Sequence, residues 1–259
     1  MEDFAIVTER LAKLAGEHAQ KHQQTLREWS KGDDPRNLVT SVDIEISAFL
    51  KAEIAKEYPE DRFYSEEETT SITGSGRVWL IDPIDGTSNY ARALPLYSCC
   101  VTVIEDGAVL AGSIFAPALR ECFSVGPQGS TRNGEAISVR QTTKLKDAYV
   151  NFHPGRKPEH RAWAGGMKVF LLEHAKKSLN LGSSALDLAY LACGRFDMLV
   201  YGTLTTADIA GAIELLRRAG GEVYNFETGE PAMLSTDSQR VIATASKELF
   251  NEVWASMPK

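Results

Sequence analysis

The sequence predicts an α+β N-terminal half followed by an α/β C-terminal half, and three observations carry that reading. Two amphipathic helix patterns precede a cluster of strand-like runs. From about Ala148 onward, helix and strand patterns alternate. The chain has 259 residues, 43% hydrophobic and 24% charged, enough for one large domain or two small ones with a sizeable core. No Pro/Gly/Ser linker parts the halves, so residues 1–140, an α+β subdomain with an antiparallel sheet, meet the α/β subdomain 141–259 at a soft boundary.

Phe4, Val7, Leu11, Leu14 and His18 recur at helical spacing, so a helix is expected from about Asp3 to Trp29, broken by Lys31-Gly32-Asp33-Asp34-Pro35. Thr40-Ser41, followed by Val42, Ile46, Phe49 and Leu50 on one stripe, predicts a second helix to about Tyr58, with Pro59 just beyond. Val78 to Ile81 is a continuous apolar strand. Tyr97 to Ile104 and Val109 to Phe115 flank Glu105-Asp106-Gly107, a hairpin signal, and Cys122 to Val125 completes an antiparallel meander. Beyond Ala148, strands are expected at Tyr149 to Phe152, near Leu179, at Met198 to Tyr201, near Val223 and at Val241 to Ala243. Helices are expected near Met167 to Lys177, at Ser184 to Cys193, at Asp208 to Ala219 and through Leu249 and Trp254.

The balance of 28 Lys+Arg against 35 Asp+Glu gives a net charge of −7, which disfavours a nucleic-acid protein held by a basic surface. No run of about 18 consecutive apolar residues is present, and Met1-Glu2-Asp3-Phe4 lacks the basic and apolar regions of a secretory signal. The expectation is a soluble cytoplasmic protein with no membrane partner. Cys99, Cys100, Cys122 and Cys193 show no C-x-x-C spacing, so they read as buried reduced thiols.

The chemistry concentrates in Val78-Trp-Leu-Ile-Asp82-Pro-Ile-Asp85-Gly-Thr-Ser-Asn89. An apolar strand delivers Asp82 to its end, Pro83 is expected to force a turn, and Gly86-Thr87-Ser88 can open a helix. Two carboxylates so placed repel unless a cation lies between them, and oxygen ligands favour Mg2+, Mn2+ or Ca2+ over zinc. Free amides at a helix start would hold an anion beside that cation. The alternative is that Asp85 caps a helix and Asp82 sits in a hydrogen-bonded turn.

The whole string is more specific than its two aspartates. Ile81-Asp-Pro-Ile-Asp-Gly-Thr-Ser-Asn89 resembles the central signature of the inositol monophosphatase family, the Mg2+-dependent, lithium-sensitive phosphomonoesterases. Leu38-Val-Thr-Ser-Val-Asp43, Tyr64-Ser-Glu66-Glu67, Gly129-Ser-Thr-Arg-Asn133-Gly134, the run Gly182 to Asp197 and Ala207-Asp208-Ile-Ala-Gly-Ala resemble further family motifs in the same order. The resemblance implies a layered α-β-α-β-α sandwich and two or three Mg2+ ions per site. By the same resemblance Glu66, Asp82 and the Ile84 carbonyl would hold one metal, and Asp82, Asp85 and Asp208 a second. Asp43, with Glu66 and Glu67, would surround a weaker third. Thr87 would orient the attacking water, and Gly86, Thr87 and Ser88 would offer amides to phosphate. Lys31 matches a basic residue on the family's active-site lip only with shifted spacing.

The resemblance also implies a substrate pocket walled by Ser183, Tyr201 and Ala207. Tyr201 stands where inositol-specific members carry a Glu, and Ala207 replaces a common Trp, which weakens the case for myo-inositol phosphate. The expected activity is hydrolysis of a small-molecule phosphate monoester. Histidinol phosphate, sugar bisphosphates and nucleotide phosphates stay open as substrates, as does a member that binds a metabolite or partner without turnover. A homodimer is compatible with the family.

Each motif has a plainer alternative. Asp43 lies three residues after Thr40 and could complete a capping box, Asp208 could favour a helix dipole, and Glu66-Glu67-Glu68 could be solvated charge. His18 and His22 have the i, i+4 spacing of metal ligands, but the H-E-x-x-H base is missing, and a surface helix face is the expectation. There is no P-loop, and no His stands in a triad pattern.

Overall fold

The computed structural model describes residues 3–30, 38–65, 72, 74–155 and 157–258. It opens with α1 (Phe4–His22), whose Asp3 cap accepts from the Ala5 amide. The helix ends at His22 rather than near Trp29, because Trp29 belongs to β1 (Glu28–Ser30) and pairs with Val39 of β2 (Leu38–Thr40). Then α2 (Ser41–Glu57) starts at a capping box: the Thr40 hydroxyl accepts from the Asp43 amide, and the Asp43 carboxylate accepts from the Thr40 amide. This is the plainer alternative for Asp43, realised.

Seven strands form the first sheet, in sequential order: β3 (Arg62–Ser65), β4 (Arg77–Asp85), β5 (Ser98–Glu105), β6 (Ala108–Ala116), β7 (Glu121–Gly126), β8 (Gly129–Arg132) and β9 (Glu135–Ala136). Among the described residues of this sheet, only the β3–β4 pair is parallel. Asp106 (φ 51°) and Gly107 (φ 82°) make the two-residue turn whose twist suits an antiparallel hairpin. Pro83 does not end β4 as expected. The strand continues to Asp85, and its register with β5 shifts between Asp82 and Asp85, a bulge that absorbs a residue with no amide to donate.

After α3 (Thr87–Ala91) and the meander, the second sheet has the order β11 (Lys177–Leu179), β10 (Tyr149–His153), β12 (Met198–Thr205), β14 (Ser238–Thr244), β13 (Glu222–Asn225). Strand β10 runs parallel to both neighbours, whereas β14 is antiparallel to β12 and β13. Its helices are α4 (Arg161–His174), α5 (Ser184–Ala192), α6 (Ala210–Arg218) and α7 (Lys247–Ser256).

Strand alternation distributes side chains among three large cores and a smaller fourth that contains Tyr64, Val78, Leu80 and Ala207. On β5, Cys99, Val101 and Val103 face α1 and α2, while Cys100 faces the core that includes α5 and α6. On β12, Leu199 joins that middle core, and Met198 and Val200 face α4 and α7. The order is therefore helices, sheet, helices, sheet, helices, the layered sandwich expected. Glycines bring the middle layer close: a Cβ on Gly112 of β6 would lie 2.9 Å from the Gly211 Cα, so α6 rests against the first sheet backbone to backbone. Among the described residues no helix is long and apolar enough to cross a membrane.

Candidate active site

A cavity of about 490 Å3 opens where β4 ends. Asp82, Ile84 and Asp85 reach it from the β4 bulge, followed by Gly86, Thr87 and Ser88 at the start of α3. Asp208 joins them from the turn before α6. These seven expected site residues thus line one space. Gly86 has φ 88°, and a Cβ there would lie 3.1 Å from the Leu96 carbonyl, so the turn needs glycine.

Asp85 is closely held by donors from α5 and β5. Its Oδ1 accepts from the Ser184 amide at 3.0 Å, and its Oδ2 accepts from the Ala185 amide at 2.9 Å and from the Ser183 hydroxyl. Ser98 adds a hydroxyl at 3.3 Å. The aspartate therefore caps a helix, but the helix is α5 from the second half of the chain, not α3. Burial pushes its pKa up, opposed by the Ser183, Ala185 and Ser184 donors.

Thr87 donates its hydroxyl proton to the Ile84 carbonyl at 2.9 Å. Asp208 Oδ1 accepts from the Tyr64 hydroxyl at 3.3 Å. Asp43 is buried and does not line the cavity. Its Oδ2 accepts from the Thr40 amide at 2.8 Å and the Thr40 hydroxyl at 2.5 Å. It is nevertheless near the others: the Cys99 thiol is pushed well up by burial and by the charges of Asp82, Asp43 and Asp85 together. Glu66, Glu67 and Lys31 lie outside the described residues.

The cavity's acidic donors, Asp82, Asp85 and Asp208, are hard oxygens on converging elements. Two of them, Asp82 and Asp85, raise the pKa of the neighbouring Cys100 thiol after burial itself, as they do for Cys99. Such a set fits a divalent oxygen-seeking cation, which would offset the cost of holding ionised carboxylates out of water.

The three residues expected to wall the substrate pocket are placed differently. Tyr201 is 1% exposed and is not on the cavity surface, because its hydroxyl is drawn inward to Asp187. Ser183 is buried beneath the lining, holding Asp85. Ala207 packs with Tyr64, Val78 and Leu80, and its amide donates to the Ser235 carbonyl. The cavity is lined there instead by His153, Asn180, Thr203 and Thr205, which the sequence reading missed. Their signal was position: His153 ends β10, and Thr203 and Thr205 lie at the end of β12, parallel strands whose carboxyl ends border the crevice. Gly155 donates its amide to His153 Nδ1 at 3.3 Å.

A layered sandwich that carries paired aspartates at the end of β4 into an oxygen-lined cavity is the arrangement of a phosphatase of the metal-dependent class. A model of the inositol monophosphatase family matches residues 1–258, and the chain belongs to that family. It is 30% identical over 256 residues to the fructose-1,6-bisphosphatase/inositol-1-monophosphatase of Thermotoga maritima, covering 97% of this chain and 96% of the relative. It is also 32% identical over 192 residues to the Nus factor SuhB of Xylella fastidiosa, covering 73% and 69%. Among solved structures, the Thermotoga maritima IMPase aligns with a TM-score of 0.87 at 28% identity, covering 98% of this chain and 95% of that one. The extragenic suppressor protein SuhB from Bartonella henselae aligns with a TM-score of 0.87 at 25% identity, covering 97% and 96%.

Proposed function

We propose that the chain hydrolyses a small-molecule phosphate monoester by direct attack of water, with Mg2+ held by Asp82, Asp85, Asp208 and the Ile84 carbonyl, and by Glu66. When bound, the cation would supply charge for the phosphate and acidify a coordinated water. The observation that carries the reading is the Thr87 hydroxyl, whose proton is committed to the Ile84 carbonyl. Its oxygen is therefore an acceptor toward the cavity, able to take a hydrogen bond from a water and fix that water's lone pair toward phosphorus. Amides of Gly86, Thr87 and Ser88 would hold the phosphate oxygens. The leaving alcohol takes its proton from solvent, and no covalent phosphoenzyme is formed.

Substrate recognition falls to His153, Asn180, Thr203 and Thr205, groups that exchange hydrogen bonds with hydroxyls and, through the imidazole, receive a second anionic group. The test is phosphate release in Mg2+ from inositol 1-phosphate, histidinol phosphate, fructose 1,6-bisphosphate and a 3′-phosphonucleotide. Turnover of at least one, lost in Asp82→Asn, is expected. No release from any of them, with phosphate binding retained, would make the chain a binding member of its family.

A further inference from the structure

Outside the cavity, α1 and α2 bring two imidazoles and a carboxylate together. His18 and His22 lie one turn apart on α1, with ring centroids 4.4 Å apart and planes 24° apart. Glu45 comes from α2, and its Oε2 lies 3.4 Å from His18 Nε2. One ligand atom from each of the three lies within 4.8 Å of the other two. None of them lines the catalytic cavity. We propose that His18, His22 and Glu45 form a second metal site, for a borderline transition cation such as Zn2+, which staples the end of α1 to the start of α2.

Residues four apart share a helix face, so the imidazoles project from one side without adjustment of the backbone. Metal–ligand bonds of about 2.0–2.2 Å in a tetrahedral site place neighbouring ligand atoms about 3.3 Å apart. The His18–Glu45 edge already has that length, and His22 closes the triangle by side-chain rotation. Rotation is open to His22, which is only partly buried, and to Glu45, whose side chain is 49% exposed. Phe49, one turn beyond Glu45, stacks on His18 with centroids 6.0 Å apart and packs against the α1–α2 core, which fixes the plane of the imidazole from behind.

The donor chemistry separates this site from the cavity. Two nitrogens and one carboxylate suit Zn2+, Cu2+ or Ni2+, whereas carboxylates and carbonyls suit Mg2+. A solution holding both kinds of ion would therefore load the two sites with different metals. Three protein ligands leave a fourth position for water. The bound ion joins the last turn of α1 to a residue two positions after Asp43, so its effect is to hold α2 in place rather than to touch substrate.

The experiment uses the full chain with Mg2+ in excess. One equivalent of Cu2+ is added as a spectroscopic probe, and Zn2+ affinity is measured against a chromophoric chelator. The expected result is nitrogen hyperfine coupling from two imidazoles, one equivalent of Zn2+ bound, and a Tm that rises with Zn2+. In His22→Ala and in Glu45→Gln, Zn2+ affinity falls at least about tenfold and the Tm response disappears, while Mg2+-supported turnover is unchanged. Absence of nitrogen coupling, or Zn2+ affinity equal to wild type in either variant, overturns the proposal.

Discussion

The Tyr201 hydroxyl donates to Asp187 Oδ2 at 2.7 Å, a bond sealed between β12 and α5 with both side chains buried. The other face of the phenol lies under the catalytic wall, its ring centroid 5.9 Å from that of His153. A residue expected to touch substrate thus supports one that does line the cavity.

Burial holds the Asp187 carboxyl well above the usual carboxylate range. The native state therefore keeps a proton that the unfolded chain releases near its ordinary pKa of about 3.9, and native stability falls as pH rises from there toward the raised folded value. Asp187→Asn keeps an acceptor for Tyr201 and removes this dependence. Urea unfolding followed from about pH 4 to pH 7 should show the variant gaining on wild type by up to about 1.4 kcal/mol per pH unit. Parallel curves for the two proteins would refute the argument.

Asp82→Asn should abolish phosphate release, by more than about a hundredfold, with Tm little changed, because Asp82 faces the cavity. Asp43→Asn should instead cost stability, about 1 kcal/mol, through its capping box with Thr40, and only part of the activity. Assays at saturating Mg2+ with melting curves on both variants separate the cases. A folded Asp43 variant as inactive as the Asp82 variant would reverse the ranking.

Thr87→Ala should lower kcat by about 10²- to 10⁴-fold with a smaller effect on KM, and Thr87→Ser should recover most of it, since serine retains the hydroxyl that bonds Ile84. Wild-type kcat in the alanine variant would remove Thr87 from the reaction.

His153→Ala should raise KM more than it lowers kcat, whereas Tyr201→Phe should first lower stability, by about 1–3 kcal/mol, by removing the buried hydroxyl that donates to Asp187. Steady-state kinetics and denaturation of the two variants distinguish a wall residue from its support. A KM effect confined to Tyr201→Phe would return that residue to the pocket.

Local chemistry explains what was legible in the sequence. Thr40 and Asp43 announce the start of α2 in four residues, and Asp106-Gly107 announces its hairpin in two. Trp29 was misread because its partner Val39 lies across a segment that no local pattern spans. Tyr201 was misplaced for a related reason. The register of β12 shifts between Tyr201 and Leu204, so counting back from Asp208 does not preserve the face on which a side chain lies. The central motif fared better, since Asp82, Asp85 and Thr87 are set by one continuous turn. Even there, the partners of Asp85 on α5 were invisible until the chain was folded.

That last contact bears on how such a centre can be moved or divided. The acidic turn of β4 is one short peptide, yet the amides that fix the Asp85 carboxylate arrive from α5, on the far side of the meander. A graft of the turn onto another scaffold would carry the aspartates without their orientation, and a chain cut between its two sheets would leave each fragment with half of a ligand's coordination environment. The hydrolytic centre is thus a property of the closed sandwich, and a designer seeking to transplant it must bring the start of α5 along with the end of β4.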